Sequence, residues 1–319
     1  MELRQLKTLV IVAEVGNFTR AAELLHLVQP SVTKQMAALE RELGVALFDR
    51  TRHGVVLTDA GRVLVDRAER ILHDLDRVRS EVIASRTALG GAVAVGLPES
   101  TAELLSEPLL AALRRAHPQI ELRLVTGHTD LLRRGLHDGG LDIALLCNVS
   151  ESPSLRIVPL LTERLWAVAS AETGLRPDTP ITLAELARHP LVTQEIGDPL
   201  RSLVDAAATG RSIVFTVAAQ ANSLSLLKKL VTRGHGWATL PGVALGDEAA
   251  RAGLSAAPLR DPEIERRVAL ATARSKIPAA ATEYVARELI WVARTAVEEG
   301  RWPSADLVLP RVPDLADTA

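Results

Sequence analysis

The residues of this chain whose types and spacing could do chemistry are cations and small polar side chains, not an assembled catalytic set. Near the N-terminus, Gln29-Pro30-Ser31-Val32-Thr33-Lys34 is followed by Arg50-Thr51-Arg52-His53-Gly54. Amide and hydroxyl donors beside ammonium and guanidinium groups suit phosphate oxygens and base edges. Further along, Ser100-Thr101, Thr129, Thr193-Gln194 and Asn222-Ser223 place hydroxyls and amides at helix starts and strand ends, where a polar ligand can be held. The eight histidines are scattered and never fall at metal-ligand spacing with another His or Cys. The single cysteine, Cys147, ends an apolar run and reads as core. Redox sensing would need a second cysteine or an exposed thiolate. No P-loop and no nucleophile elbow occurs. The expectation is therefore no catalytic residue, no metal and no cofactor.

Short elements must position the first set. Leu3, Leu6, Leu9, Val10 and Ala13 recur at helical spacing and predict a first helix, broken at Gly16-Asn17. Thr19 is placed to cap a second helix, Arg20 to Leu25. A third helix starts near Pro30, with Val32, Met36, Leu39 and Leu43 on one core-facing stripe. Its other face carries Pro30, Thr33, Lys34, Ala37 and Arg41, with Gln29 and Ser31 at its start. That face is slim, polar and cationic, as a groove-binding helix requires. An ordinary solvated helix face looks the same. Gly44 suits a left-handed cap. Leu47 to Arg50 and Val55 to Thr58 then read as two strands joined by a basic turn, a wing.

Five groups of residues make this head specific. They are Phe18-Thr19-Arg20-Ala21-Ala22, Gln29-Pro30-Ser31-Val32-Thr33, Leu39-Glu40 with Leu43-Gly44, Leu47-Phe48-Asp49-Arg50, and Leu57-Thr58-Asp59-Ala60-Gly61. In order and spacing the chain resembles the LysR-type transcriptional regulators, with a faint likeness to their nitrogen-assimilation subgroup. The resemblance implies groove contacts from Gln29, Pro30, Ser31, Thr33 and Lys34, and wing contacts from Arg50 and Arg52. It also implies double-stranded promoter DNA as partner. One departure is Thr33-Lys34, where the family usually has Ser-Arg. Lysine lacks the planar fork that reads guanine bidentately, so Lys34 is expected to contact phosphate. Glu40 is expected to be a structural ion-pair partner.

Behind the head, Leu64, Ala68, Ile71, Leu75, Val78 and Val82 alternate by four and three, and Ser85 and Leu89 extend the register. This heptad stripe predicts a linker helix that joins two copies into a homodimer. A helix packed on its own domain is the alternative. Gly90-Gly91 ends the helix.

The rest alternates strand and helix. Ala92 to Leu97, Ile120 to Val125 and Asp142 to Leu146 read as strands of a mostly parallel sheet. The intervening helices start at Thr101 and Leu131. Leu165 to Ala169 begins a second set that includes Pro190 to Thr193 and a helix from Ser223. The chain is expected to cross between lobes near Leu161 to Leu165 and to return near Glu265 to Val268, with a late strand Val268 to Ala273 and a last helix near Thr282 to Val297. The layout resembles the family's two-lobed effector domain, itself similar to periplasmic binding proteins. Ligands of such sheets sit at strand C-termini and helix N-termini. Ser100, Thr101, Thr129, Thr193, Gln194, Asn222 and Ser223 are the expected effector contacts, although Ser100-x-x-Glu103 is also a capping box. The resemblance favours a small anionic or polar co-inducer of unknown identity, whereas Glu99 and Glu103 near the mouth oppose an anion.

The expected fold is thus multidomain. A mainly-α winged helix-turn-helix head spans 1–60 and a linker helix 61–89. An α/β two-lobed effector domain spans 90–300, with lobe I at 90–163 and 268–300 and lobe II at 164–267. A flexible tail follows at 301–319. A net charge of −2 with 24% charged residues is no bulk signature of a nucleic-acid binder, so DNA contact must be local. One cysteine and no apolar run near the roughly 18 residues of a membrane span lead to the expectation of a cytoplasmic protein without a membrane partner. The leading function is an effector-responsive regulator, dimeric and further paired into a homotetramer, with RNA polymerase as a further candidate partner. A cytoplasmic small-molecule sensor or enzyme using only the two-lobed domain is the alternative. A convergent acid–base set would favour that alternative.

Overall fold

The computed structural model describes residues 1–51, 54–65, 67–68, 71–72, 75, 89–149, 152–246, 253–274 and 278–308. The chain divides into two compact units, Met1–Ala88 and Leu89–Ala319.

The first unit holds α1 (Leu3–Val15), α2 (Phe18–Leu24), α3 (Gln29–Leu43) and an antiparallel hairpin, β1 (Phe48–Thr51) and β2 (Gly54–Leu57). Gly16 and Gly44 adopt left-handed conformations and end α1 and α3. Asn17, not Thr19, caps α2: its side chain accepts from the Thr19 and Arg20 N–H groups at 2.8 and 3.2 Å. Leu9, Val32, Met36 and Leu39 form one buried core with Leu47. Leu43 departs from the expected stripe. It lies in the last turn, just before the chain turns off at Gly44, and is 40% exposed. Glu40 makes backbone hydrogen bonds in place of the expected ion pair, accepting from Leu47 N–H at 2.8 Å and Phe48 N–H at 3.3 Å, which fixes the approach to β1.

The hairpin rests on the end of α1. Val55 N–H donates to the Gly16 carbonyl at 2.8 Å. Gly54 has φ 137°, and a Cβ there would lie 2.2 Å from that same oxygen. Gly54→Ala is therefore expected to destabilise the head by about 1–3 kcal/mol. Urea titration followed by circular dichroism reads this, and an unchanged midpoint would show that the close approach is not needed.

The described residues from 59 to 75 are helical. Thr58 caps their start, its Oγ1 accepting from Gly61 N–H at 3.0 Å. Ala68, placed by its spacing in the dimer seam, is instead fully buried in the head's own core with Val65. Val78, Val82 and Ser85 of the same stripe lie outside the described residues, and Leu89, expected to end the helix, is not helical.

The second unit is built on a long, bent sheet. Its elements are β3 (Gly91–Leu97), α4 (Glu99–Ala116), β4 (Ile120–Thr126), α5 (Thr129–His137), β5 (Ile143–Cys147), β6 (Leu155–Ser170), β7 (Ile181–Thr182), α6 (Leu183–Leu186), β8 (Leu191–Thr193), α7 (Pro199–Thr209), β9 (Val217–Gln220), α8 (Leu224–Thr232), β10 (Ala238–Pro241), β11 (Leu254–Arg260), β12 (Glu265–Ala273), α9 (Ala280–Glu298) and β13 (Ala305–Leu307). The strand order is β4-β3-β5-β12-β6-β11-β7, with β10 and β13 also paired to β6. Strand β6 pairs with β12 up to Arg164 and with β10 and β11 from Leu165 onward. It therefore runs out of one lobe into the other, and β12 returns.

The expected parallel pairing holds for the three strands it was read from, but the sheet as a whole is corrected to a mixed one. Strands β4, β3 and β5 are parallel, but β12 is antiparallel to both β5 and β6. A strand that returns from the second lobe necessarily runs against the one that left. In the first lobe the apolar faces of α4 and α9 pack in one core with β3 and β5, and α5 packs in another. The tail reading is also corrected. Trp302 is buried and β13 pairs with β6, so the chain is tied down through Val308. Residues 309–319 lie outside the described residues.

Candidate DNA-facing surface and effector cleft

In the head, burial of Val32, Met36 and Leu39 turns the opposite side of α3 outward. Gln29, Pro30 and Lys34 are exposed, and Ser31 and Thr33 half-buried. Gln29 Nε2 donates to Thr33 Oγ1 at 2.8 Å, so an amide and a hydroxyl one turn apart form a single polar unit. Pro30 falls in the first turn, where a missing N–H costs nothing. Arg50 sits in β1 opposite Val55. Its side chain, and Arg52 altogether, lie outside the described residues.

In the second unit a cleft of about 640 Å³ opens at the C-terminal ends of β3, β4, β5 and β8 and the N-termini of α4, α5, α7 and α8. Ser100, Thr129, Gln194, Asn222 and Ser223 all line it. Thr101 and Thr193 do not. Thr101 is fully buried, one turn before Leu105 and two before Leu109 on the core stripe of α4, and its hydroxyl donates to the Pro98 carbonyl at 3.0 Å. Thr193 is buried within β8, where its carbonyl accepts from Ala221 N–H at 2.9 Å. Thr129 lines the cleft but is engaged. Its Oγ1 accepts from Cys147 N–H at 3.1 Å and pins α5 to the end of β5. Ser223 caps α8, accepting from Leu226 N–H at 3.4 Å.

The floor is made by residues that the sequence reading passed over. Arg266 lines the cleft although it is only 5% exposed. Its Nη2 donates to Ser100 Oγ at 2.8 Å and its Nε to Glu163 Oε1 at 2.6 Å. Trp302 Nε1 donates to the other oxygen of Glu163 at 2.9 Å. Arg266 and Glu163 face each other on β12 and β6, where the returning strand meets the outgoing one. Burial by itself would lower the Arg266 guanidinium, but the Glu163 carboxylate beside it holds it above its ordinary range. A signal for Arg266 was available. It lies two and four residues before the buried Val268 and Leu270, so strand periodicity puts it on the same face as they are.

Cys147 also lines the cleft. Burial pushes its thiol up, with Arg266 and the Thr129 hydrogen bond pulling less strongly the other way. A protonated, buried thiol is a poor nucleophile. In the native protein Cys147 is expected to react with iodoacetamide at pH 8 at least about tenfold slower than after denaturation. Equal rates, measured by mass spectrometry, would show an activated thiol. Among the described residues no group of three metal-binding side chains occurs, and no helix is long and apolar enough to cross a membrane.

Comparison with known proteins agrees with this architecture. Residues 3–62 match the model of the bacterial regulatory helix-turn-helix proteins of the lysR family, and residues 86–289 match the LysR substrate binding domain. The HTH-type transcriptional regulator BbuR of Bordetella bronchiseptica is 31% identical over 93% of this chain and 92% of its own. The nitrogen assimilation regulatory protein nac of Escherichia coli is 31% identical over 76% of this chain and 78% of its own, so that subgroup is not set apart from other relatives. Among solved structures, the Corynebacterium glutamicum OxyR C206 mutant aligns with a TM-score of 0.56 at 28% identity, over 93% of this chain and 94% of that one. A winged helix-turn-helix head followed by a two-lobed domain with a polar cleft, matched along nearly its whole length, makes this chain a member of the LysR family of transcriptional regulators.

Proposed function

We propose that this chain controls transcription by setting α3 into the major groove of promoter DNA and its hairpin against the neighbouring backbone, and that a small polar effector in the cleft tunes this binding. Gln29, Pro30, Ser31, Thr33 and Lys34 face the groove, and Arg50 and Arg52 contact the backbone. The observation that carries the effector half is the buried Arg266–Glu163 pair. A buried ion pair is costly unless every arm is satisfied. This one joins the two connecting strands of the lobes and holds a cleft hydroxyl, Ser100. A ligand that bonds to Ser100 therefore acts directly on the strands that link the lobes.

The cleft is read as binding rather than reacting, because its hydroxyls are hydrogen-bonded within the protein and its thiol is protonated. On this reading the chain is not an enzyme and uses no cofactor. The working form is a homodimer through the 61–89 helix, whose described part leaves Val63 and Ile71 exposed. Sheet-edge strands β4 and β9, with exposed Leu124 and Val217, offer a second contact for a homotetramer. Such an assembly works in the cytoplasm, beside RNA polymerase.

The test is a mobility shift on DNA upstream of the chain's own gene, with a metabolite screen by thermal shift on the same protein. Wild type should bind specifically and Arg50→Ala should not. A metabolite that raises the melting temperature should change the footprint. A metabolite that binds in the cleft and leaves the footprint unchanged would overturn the effector reading.

A further inference from the structure

The first turn of α4 reaches across the cleft. Glu99 Oε2 accepts a hydrogen bond from Leu224 N–H at 2.9 Å. Glu99 belongs to the first lobe and Leu224 is the first residue of α8 in the second. The N-terminus of α8 was expected to offer its donors to a ligand. Its Leu226 N–H is instead capped by Ser223, and its Leu224 N–H is taken by a carboxylate from the opposite lobe. The N-terminus of α4, by contrast, has no side-chain cap and has Arg266 behind Ser100. These two of the helix ends that open on the cleft are therefore not equivalent.

We propose that Glu99 is a built-in latch: its carboxylate occupies the anion-attracting end of α8 and ties the lobes together across the cleft mouth when no effector is bound. An ionised acceptor at a helix N-terminus is favoured by both the unpaired N–H and the helix dipole. Glu99 adjoins Ser100 in the chain and lines the same cleft, so an effector that bonds to Ser100 lies beside this bond and its binding is coupled to latch release. That consequence rests on the reading of the cleft as the effector site. The latch does not, and it can be tested with no ligand present.

The experiment uses full-length protein with nitroxide labels on cysteines introduced at Asp138 and Arg211, one in each lobe, leaving the buried Cys147 unlabelled. Labelled chains are diluted with unlabelled ones so that only distances within a chain are read. Two variants break the bond from opposite sides. Glu99→Ala removes the acceptor. Leu224→Pro removes the donor at a position where proline is tolerated, following Ser223 in an extended conformation. Each should lower the ratio of closed to open chains by about 3- to 10-fold. Ser223→Ala, which weakens the α8 cap but keeps the bond, should leave the distribution as it is in wild type. Distributions of both latch variants that superimpose on wild type would overturn the proposal. So would opening in only one of them, or equal opening in Ser223→Ala, because the change would then not come from this bond.

Discussion

Replacing Arg266 by methionine is expected to destabilise the Leu89–Ala319 unit by about 3–5 kcal/mol, because it leaves the fully buried Glu163 carboxylate without its counter-ion. Tryptophan fluorescence under urea reads this unit alone, since Trp166, Trp237, Trp291 and Trp302 all lie in it and the head has none. Adding Glu163→Gln should restore most of the loss. The neutral amide no longer needs a counter-charge, and its oxygen can still accept from the Trp302 indole. The double variant should nonetheless fail to respond to any effector, because Ser100 has lost the donor that orients it. A double variant as unstable as Arg266→Met alone would mean that packing, not charge, sets the cost. One that is stable and fully responsive would remove Arg266 from the signalling path.

Lys34→Ala is expected to weaken promoter binding on the order of tenfold or more at moderate salt, evenly across operator sequences. In a dimer two phosphate contacts are lost together, so the slope of log affinity against log salt should flatten by about 2. Lys34→Arg should recover the affinity. Base reading then falls mainly on the Gln29–Thr33 unit, whose amide and hydroxyl are held together one turn apart. Salt-dependent mobility shifts on a set of single-base operator variants make the distinction. A loss confined to one operator position would show that Lys34 reads a base, and an unchanged salt slope would show that it meets no phosphate.

The head was legible because its determinants are local. The stripe Val32–Met36–Leu39 follows from helical period, and Gly44 from the left-handed turn it must make. The errors there are small. Asn17 rather than Thr19 caps α2, and Leu43 runs past the end of the packed face. Most elements of the effector domain were legible for the same reason, but not their pairing. Strand β12 inserts between β5 and β6 and turns a parallel sheet into a mixed one.

The cleft divides in the same way. Hydroxyls at helix starts could be named from the sequence, yet Ser100 faces the ligand space while Thr101, its neighbour, is sealed into the core. The floor and the latch join residues far apart in the chain: Arg266 and Glu163 are 103 positions apart, Glu99 and Leu224 125. Sequence by itself determined the elements and the residue types available at their ends, because backbone preference and amphipathic period act over a few neighbours. Only the tertiary structure decided which charges are buried together and which helix end stays open. Burial and electrostatic partnership belong to the meeting of distant segments, and no local pattern records it.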